Sequence, residues 1–267
     1  MSRQTIRLTQ PSRPRAGRWA VAGTLAGILL ATTLWAPARW LAAGVERVTA
    51  GRVQMPEARG TVWNGSARVV LTGGEGSRDE TALPGALAWR LRPRLDGLRI
   101  EIAVPCCIEG PWAIHAAPGW NGLTLGLTDL RSHWPAALLA GLGTPWNTIR
   151  PQGELRLGSE AMSVAWNGRQ WTSAGRVRLE ALGVSSALST LRPMGSYLVV
   201  LNGGDTPTLS LSTIEGALRL NGEGRWVGSR LRFNGLATAE PGQEAALSNL
   251  LNILGRRDGA RSHLSLG

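Results

Sequence analysis

The sequence predicts a mainly β protein: an N-terminal transmembrane helix, then a long curved antiparallel sheet with a few short helices packed on it. Three observations carry that expectation. An uncharged apolar run follows five arginines near the start of the chain. Beyond it, apolar and polar residues alternate at period two over long stretches, the pattern of strands with one wet face. And 35 of the 267 residues are glycine, which suits many tight turns and bulges.

The first eighteen residues carry Arg3, Arg7, Arg13, Arg15 and Arg18 and no acid. The formal charge of the chain is +11 and every basic residue is arginine; without those five, +6 remains. That is an ordinary basic surface. No arginine-and-aromatic motif of an RNA-binding sheet is present, so nucleic acid is not the expected partner. The uncharged run is "WAVAGTLAGILLATTLWAPA", Trp19 to Ala38. As a helix it would reach about 30 Å, enough to cross a bilayer core. Trp19, Trp35 and Trp40 stand near its two ends, where interfacial aromatics sit, and the arginines place the tail inside. A cleaved signal peptide, cut at Ala36-Pro37-Ala38, is the competing reading, but its apolar region would usually be only about 7–15 residues. The expected organisation is a basic cytoplasmic tail over 1–18, an anchor over 19–41 and a β-rich domain over 42–267 beyond the membrane. Gly23 and Gly27 form a G-x-x-x-G, a flat face for a second helix of this chain or of a partner. A chain rich in glycine and alanine also yields that spacing by chance.

"TVWNGSA", Thr61 to Ala67, admits two readings. Asn64-Gly65-Ser66 spells a glycosylation acceptor, and Asn64-Gly65 spells a hairpin turn. Trp120-Asn121-Gly122 and Trp166-Asn167-Gly168 repeat the triplet without serine or threonine at the acceptor position. The shared element is therefore a turn or strand end, with Leu220-Asn221-Gly222 a looser echo. "ALAWRLRP" and "GLRIEIAVP" read as a strand pair turning through 92–97, where proline and Asp-Gly suit a turn. "GELRLGSEAMSVAWNG" reads as another pair, turning near Gly158-Ser159. From Thr208 onward, "TLSLST", "GALRLNGEGRW" and "SRLRFNGLATA" alternate cleanly. Leu218, Leu220 and Trp226 share one face, with Arg219, Asn221 and Arg225 opposite.

Three short helices interrupt the strands. "RSHWPAALLAGLG" offers Ser132 as cap and Pro135 in the first turn. "SSALSTLRP" reads as one or two turns stopped by Pro193. "EPGQEAALSNLLNILG" is the strongest: Leu247, Leu250, Leu251 and Leu254 keep helical spacing, Pro241 opens it and Gly255 closes it. "ARSHLSLG" returns as a final strand. Helices do not alternate with strands, so a parallel α/β sheet is not expected.

No G-x-S-x-G, H-E-x-x-H or phosphate-binding glycine loop occurs. His115, His133 and His263 are far apart in sequence, and Glu101 and Glu109 read as solvated strand residues. No catalytic residue, cofactor or metal ligand is expected. Cys106 and Cys107 are adjacent, after Pro105. A vicinal disulfide, two reduced thiols packed in the sheet, or an intermolecular bridge all stay open. A metal site with His115 is weak, since adjacent thiolates chelate poorly without further ligands.

The order of motifs carries a resemblance: the basic-flanked anchor, "GTVWNGSA", "LPGALAWRLRP", "RPMGSYLVVLNG", "LSTIEGALRLNGEGRW" and "LSNLLNILGRRDGARSHLSLG". In that order they resemble the type II secretion system protein N family. The resemblance implies an inner-membrane, single-pass protein with a cytoplasmic N-terminus and a periplasmic β body. It would be an accessory to export of folded proteins across the outer membrane, with other secretion subunits as partners and no enzymatic role. A looser likeness of style, to long-groove envelope proteins of the AsmA and TamB type, implies the alternative of a lipid-handling groove.

Overall fold

The computed structural model describes residues 16–120, 122–228 and 230–267. The tail expected over 1–18 lies outside the described residues, apart from the backbone of 16–18. The chain forms two compact units, one ending at Ala36 and the other running from Pro37 to Gly267.

In the first unit, helix α1 (Ala16–Leu34) carries no charge on its described side chains, and three threonines are its only hydroxyls among them. Thr24, Thr32 and Thr33 donate to the carbonyls of Ala20, Ile28 and Leu29 one turn back, at 2.7–2.9 Å, so each hydroxyl is satisfied inside the helix. Among the described residues no helix is long and apolar enough to cross a membrane. The span expected over 19–41 is not one helix. It stops at Leu34, and Pro37 stands extended before helix α2 (Ala38–Val48). Proline locks its own φ and disfavours helix in the residue before it, which explains the break. Ala38 is buried, and Leu41, Ala42 and Val45 pack against the sheet. Residues 38–41 thus belong to the body.

The body is one open antiparallel sheet of sixteen strands. They are β1 (Val53–Gln54), β2 (Arg59–Gly60), β3 (Asn64–Thr72), β4 (Glu80–Arg94), β5 (Gly97–Ala103), β6 (Trp112–Gly119), β7 (Gly122–Leu127) and β8 (Leu130–Pro135). A 3₁₀ helix (Ala136–Leu142) and α3 (Trp146–Ile149) follow. The rest are β9 (Gln152–Trp166), β10 (Trp171–Ser185), β11 (Gly195–Gly204), β12 (Thr208–Glu215), β13 (Leu218–Val227) and β14 (Arg230–Ala239). Then come α4 (Glu244–Leu254), β15 (Arg256–Asp258) and β16 (Arg261–Leu266). Neighbours in sequence are mostly neighbours in the sheet. At the sheet's two ends the order changes, with β1 and β2 both on β3 and β16 between β14 and β15; in its middle one flank of β9 is shared, β8 pairing with 154–159 and β7 with 163–166. Between them Ala161 adopts φ 47°, and its N–H donates to the Asp129 carboxylate at 2.8 Å. This bulge lets the chain pass from β7 to β8 along one edge.

Several expectations shift. No turn occurs at Gly158-Ser159: 152–166 is a single strand, because β10 pairs with it along almost its whole length. Ser132 does not cap a helix. It lies in β8, accepts a hydrogen bond from Trp134 Nε1 at 2.9 Å and donates to the Leu157 carbonyl. Helix begins only at Ala136, past the proline. "SSALSTLRP" forms turns, not helix. There the Ser186 and Ser189 hydroxyls accept from the N–H groups of Leu188 and Leu191, the local competition by which serine disfavours helix. The terminal helix starts at Glu244, three residues after Pro241, and ends at Leu254 before Gly255. β2 and β15 were not legible in the sequence.

The Asn-Gly pairs resolve by position. The hairpin between β2 and β3 turns at Val62-Trp63, closed by Thr61 N–H to the Asn64 carbonyl at 2.9 Å. Gly65 is already in strand, opposite Trp89, and a Cβ there would lie 2.5 Å from the Trp89 ring. Gly222 is likewise mid-strand, and its Cβ would lie 2.3 Å from the Phe233 ring. Both glycines make room for an aromatic ring from the neighbouring strand. Asn167-Gly168 is a true turn, where Asn167 Oδ1 accepts from the N–H groups of Arg169 and Gln170. Trp120 and Gly122 join β6 to β7; Asn121 lies outside the described residues.

Two apolar clusters form on one face of the sheet. The first gathers Ala38, Met55, Ala67, Val69, Leu83, Trp89, Val104, Cys107 and Leu138. The second gathers Met194, Tyr197, Leu218 and Ala237 with Leu247, Leu250 and Leu251 of α4.

Candidate interaction surfaces

Strand alternation gives the sheet two unlike faces. On the outer face, arginines pair with acids two residues away along a strand: Arg99 with Glu101 at 3.0 Å, Arg156 with Glu154 at 2.9 Å and Arg178 with Glu180 at 3.1 Å. Hydrogen bonds from Arg99 and Arg156 hold the Glu101 and Glu154 carboxyls below the usual range. Asp96 is lowered first by a backbone N–H and then by Arg94. These pairs are exposed or half-exposed to water, so each contributes little to stability.

The inner face is apolar. α2 packs mainly on β1–β3, the 3₁₀ helix on β3, β4 and β9, and α4 on β14–β16. Between these coverings a cross-strand line continues: Leu98 opposite Ala116, Ala116 opposite Leu125, Leu125 opposite Val164. Ile100, Ile114 and Leu127 form the next row, and all of these side chains are only half-buried. At the turn end of β9–β13 the strip opens into a concavity of about 800 Å³, lined by Met162, Val164, Trp166, Leu201 and Trp226 among others.

The cysteines are bonded to each other. Cys107 is buried in the first cluster and Cys106 packs against it. Their segment runs along the free flank of β8: the Cys107 carbonyl accepts from His133 N–H at 2.8 Å, and Glu109 N–H donates to Arg131 at 3.0 Å. Of the three forms left open by the sequence, the vicinal disulfide is the one formed. It belongs to a β edge and a core, a setting no spacing rule foretold.

The histidines are not brought together. His115 lies on β6, 3.3 Å from the Asp96 carboxylate; His133 is on β8 and His263 on β16. Among the described residues no group of three or more His, Cys, Asp or Glu is placed to hold a metal ion. Buried Tyr197 is a tether: its hydroxyl donates to the Leu218 carbonyl at 3.1 Å, and burial pushes its phenol well above the usual value.

A single open antiparallel sheet, apolar on one face and laced with ion pairs on the other, defines an amphipathic β protein whose chemistry is that of surfaces. A family model described as Type II secretion system (T2SS), protein N, matches residues 51–263, and the chain belongs to that family. The match covers nearly all of the sheet. No curated protein and no solved structure matches the chain. The resemblance drawn from motif order thus holds, and with it association with the type II secretion machinery, a secretion component of the cell envelope.

Proposed function

We propose that this chain is an accessory or scaffold component of the type II secretion system, held in the inner membrane by its N-terminal helix. The tail over 1–18 lies in the cytoplasm, the anchor falls within 19–41, and the body acts in the periplasm in export across the outer membrane. The observation that carries this reading is the family match over the body. The uncharged run behind five arginines supports the topology. Gly23 and Gly27 support a role for α1 in association: a Cβ at either would meet nothing within 4 Å, leaving a flat face for a second copy or a partner helix. The protein is not an enzyme in this reading; it binds other secretion subunits. Strand addition is the favoured mode, since Leu264–Leu266 of β16 extend past the short β15 and offer unpaired backbone groups.

One observation favours a second reading. The half-buried apolar strip over β5–β7 and β9–β11 is the surface a lipid-shielding groove would need, whereas α4 fills the C-terminal part of the same face. Deletion of the gene separates the two. The scaffold reading expects secreted enzymes trapped in the periplasm with an intact envelope barrier. Detergent sensitivity with normal secretion would replace it with the groove reading. A periplasm-active reporter fused after Gly267 should be active; a silent one, beside an active cytoplasmic reporter, would reverse the topology.

A further inference from the structure

The antiparallel meander sends its connections to two opposite ends of the strands, and the two ends differ. At one end lie the long connections: 73–79, 104–111, 136–151, 186–194 and the segment containing α4. At the other end every connection is short. β2 turns into β3 at Val62-Trp63, β4 into β5 at Leu95-Asp96, β6 into β7 after Trp120, β9 into β10 over 167–170, and β11 into β12 over 205–207. β13 turns into β14 at the same end, after Val227.

This short-turn rim carries the two most solvent-exposed apolar side chains of the body, Leu95 and Trp120. Leu95 is 111% exposed, Trp120 105%, Leu266 63% and Trp171 60%, with Val227 about half in water. The β4–β5 turn does not need Leu95, since Asp96-Gly97 supplies its turn chemistry. Trp171 leans on Trp166 across the β9–β10 hairpin, ring centroids 5.1 Å apart, and still leaves 60% of itself in water. Exposed arginines stand among them, Arg59, Arg94, Arg169 and Arg230, against the acids Asp96 and Asp205. The opposite end mixes its arginines with Glu75, Asp79, Glu109, Glu215 and Glu240 and is covered by helices.

The chain also enters the body at this rim. Pro37 pairs with Thr61, beside the β2–β3 turn, and exposed Trp40 follows on the first turn of α2. The body therefore begins, at Pro37, beside the rim that bears the tryptophans and arginines. Tryptophan favours the headgroup level of a bilayer, and arginine extends its charge to lipid phosphates while its stem stays apolar.

We propose that the short-turn rim of the sheet is a membrane-contact surface, in which Leu95, Trp120, Trp171 and Val227 enter the headgroup region of an anionic bilayer and Arg169 and Arg230 meet its phosphates. This rests on the reading of 19–34 as a membrane anchor. It adds that the body stands on the bilayer by its hairpin tips, with its helix-covered end turned away, so the open inner face and both sheet edges remain accessible to partners.

The test uses the full chain, reconstituted in nanodiscs of phosphatidylethanolamine and phosphatidylglycerol. Benzoylphenylalanine is placed at Leu95 or Trp120, and in a control at Glu75 on the opposite end. All three sites are exposed, so the fold tolerates the probe. After irradiation, mass spectrometry should find phospholipid adducts at Leu95 and Trp120 and at least tenfold fewer at Glu75. An alkaline wash of membranes carrying the same chain reports on the anchor separately. Retention in the membrane without lipid adducts at the rim overturns the rim surface alone. Release by the wash overturns the anchor and the rim surface together. Adducts of the rim sites to polypeptide instead of lipid, in native membranes, would assign the rim to a protein partner and overturn the proposal.

Discussion

The two apolar clusters bury the same face of the same sheet, yet the chain builds them differently. The C-terminal cluster is nearly local. α4 follows β14 directly and lays Leu247, Leu250 and Leu251 on Leu218 and Ala237 of adjacent strands. The N-terminal cluster is assembled from separated pieces: α2, β3, β4, the disulfide segment and Leu138 of the 3₁₀ helix. The two share no residue, and the inner face between them stays half-covered. One end therefore depends on a single amphipathic helix, the other on the convergence of several segments around Trp89.

The comparison breaks most severely at Trp89. Its ring is 4% exposed, its Nε1 donates to the Val62 carbonyl at 3.0 Å, and it covers Gly65. Trp89→Ala removes a large buried ring and should cost about 3–5 kcal/mol, seen as a lower midpoint in urea unfolding. Leu250→Ala should cost about 2–5 kcal/mol by the same mechanism at the other end. A Tm unchanged within error would mean that α4 is not packed on the sheet. Gly65→Ala should cost about 1–3 kcal/mol through overpacking against Trp89, and the loss should shrink, though not vanish, when Trp89 is already alanine. The part that remains reports the backbone, where a Cβ approaches the Arg59 carbonyl at 2.6 Å; an undiminished loss would mean that the Trp89 ring is not what excludes a side chain at Gly65. The smallest effect is expected for the double variant Cys106→Ser, Cys107→Ser. It places a hydroxyl in the first cluster and should cost about 1–2 kcal/mol, with secretion reduced no further than that loss explains.

The same contrast governs what the sequence revealed. The C-terminal half was legible because its signals are periodic and local. Alternation from Leu218 to Trp226 and leucine spacing from Leu247 to Leu254 both report the face that is buried. The N-terminal half hid its logic in long-range pairings. α2 was absorbed into the apolar run before it, because Trp40, Leu41, Ala42 and Ala43 resume that run after a single charge, Arg39. Gly65 and Gly222 looked like turn residues, since asparagine precedes each. Their reason is a ring on the adjacent strand, which no local window contains. Ser132 looked like a cap because the strand it belongs to runs directly into a helix, ending at Pro135 just before Ala136. The outer-face ion pairs were implicit in the alternation, whereas the pairing of the disulfide segment with β8 was not. Family membership was legible from the order of motifs that are individually unspecific.

Hydrogen exchange of the full chain, read by mass spectrometry, tests most directly whether the sheet is held at two ends by separate cores. In the Leu250→Ala variant, amides of β13, β14 and β16 should exchange faster. Those of β3 and β4, around Trp89, should keep their protection, because local opening follows local packing. Equal loss of protection in β3, β4, β13 and β14 would contradict the account, and would make the sixteen strands one cooperative unit held by both clusters at once.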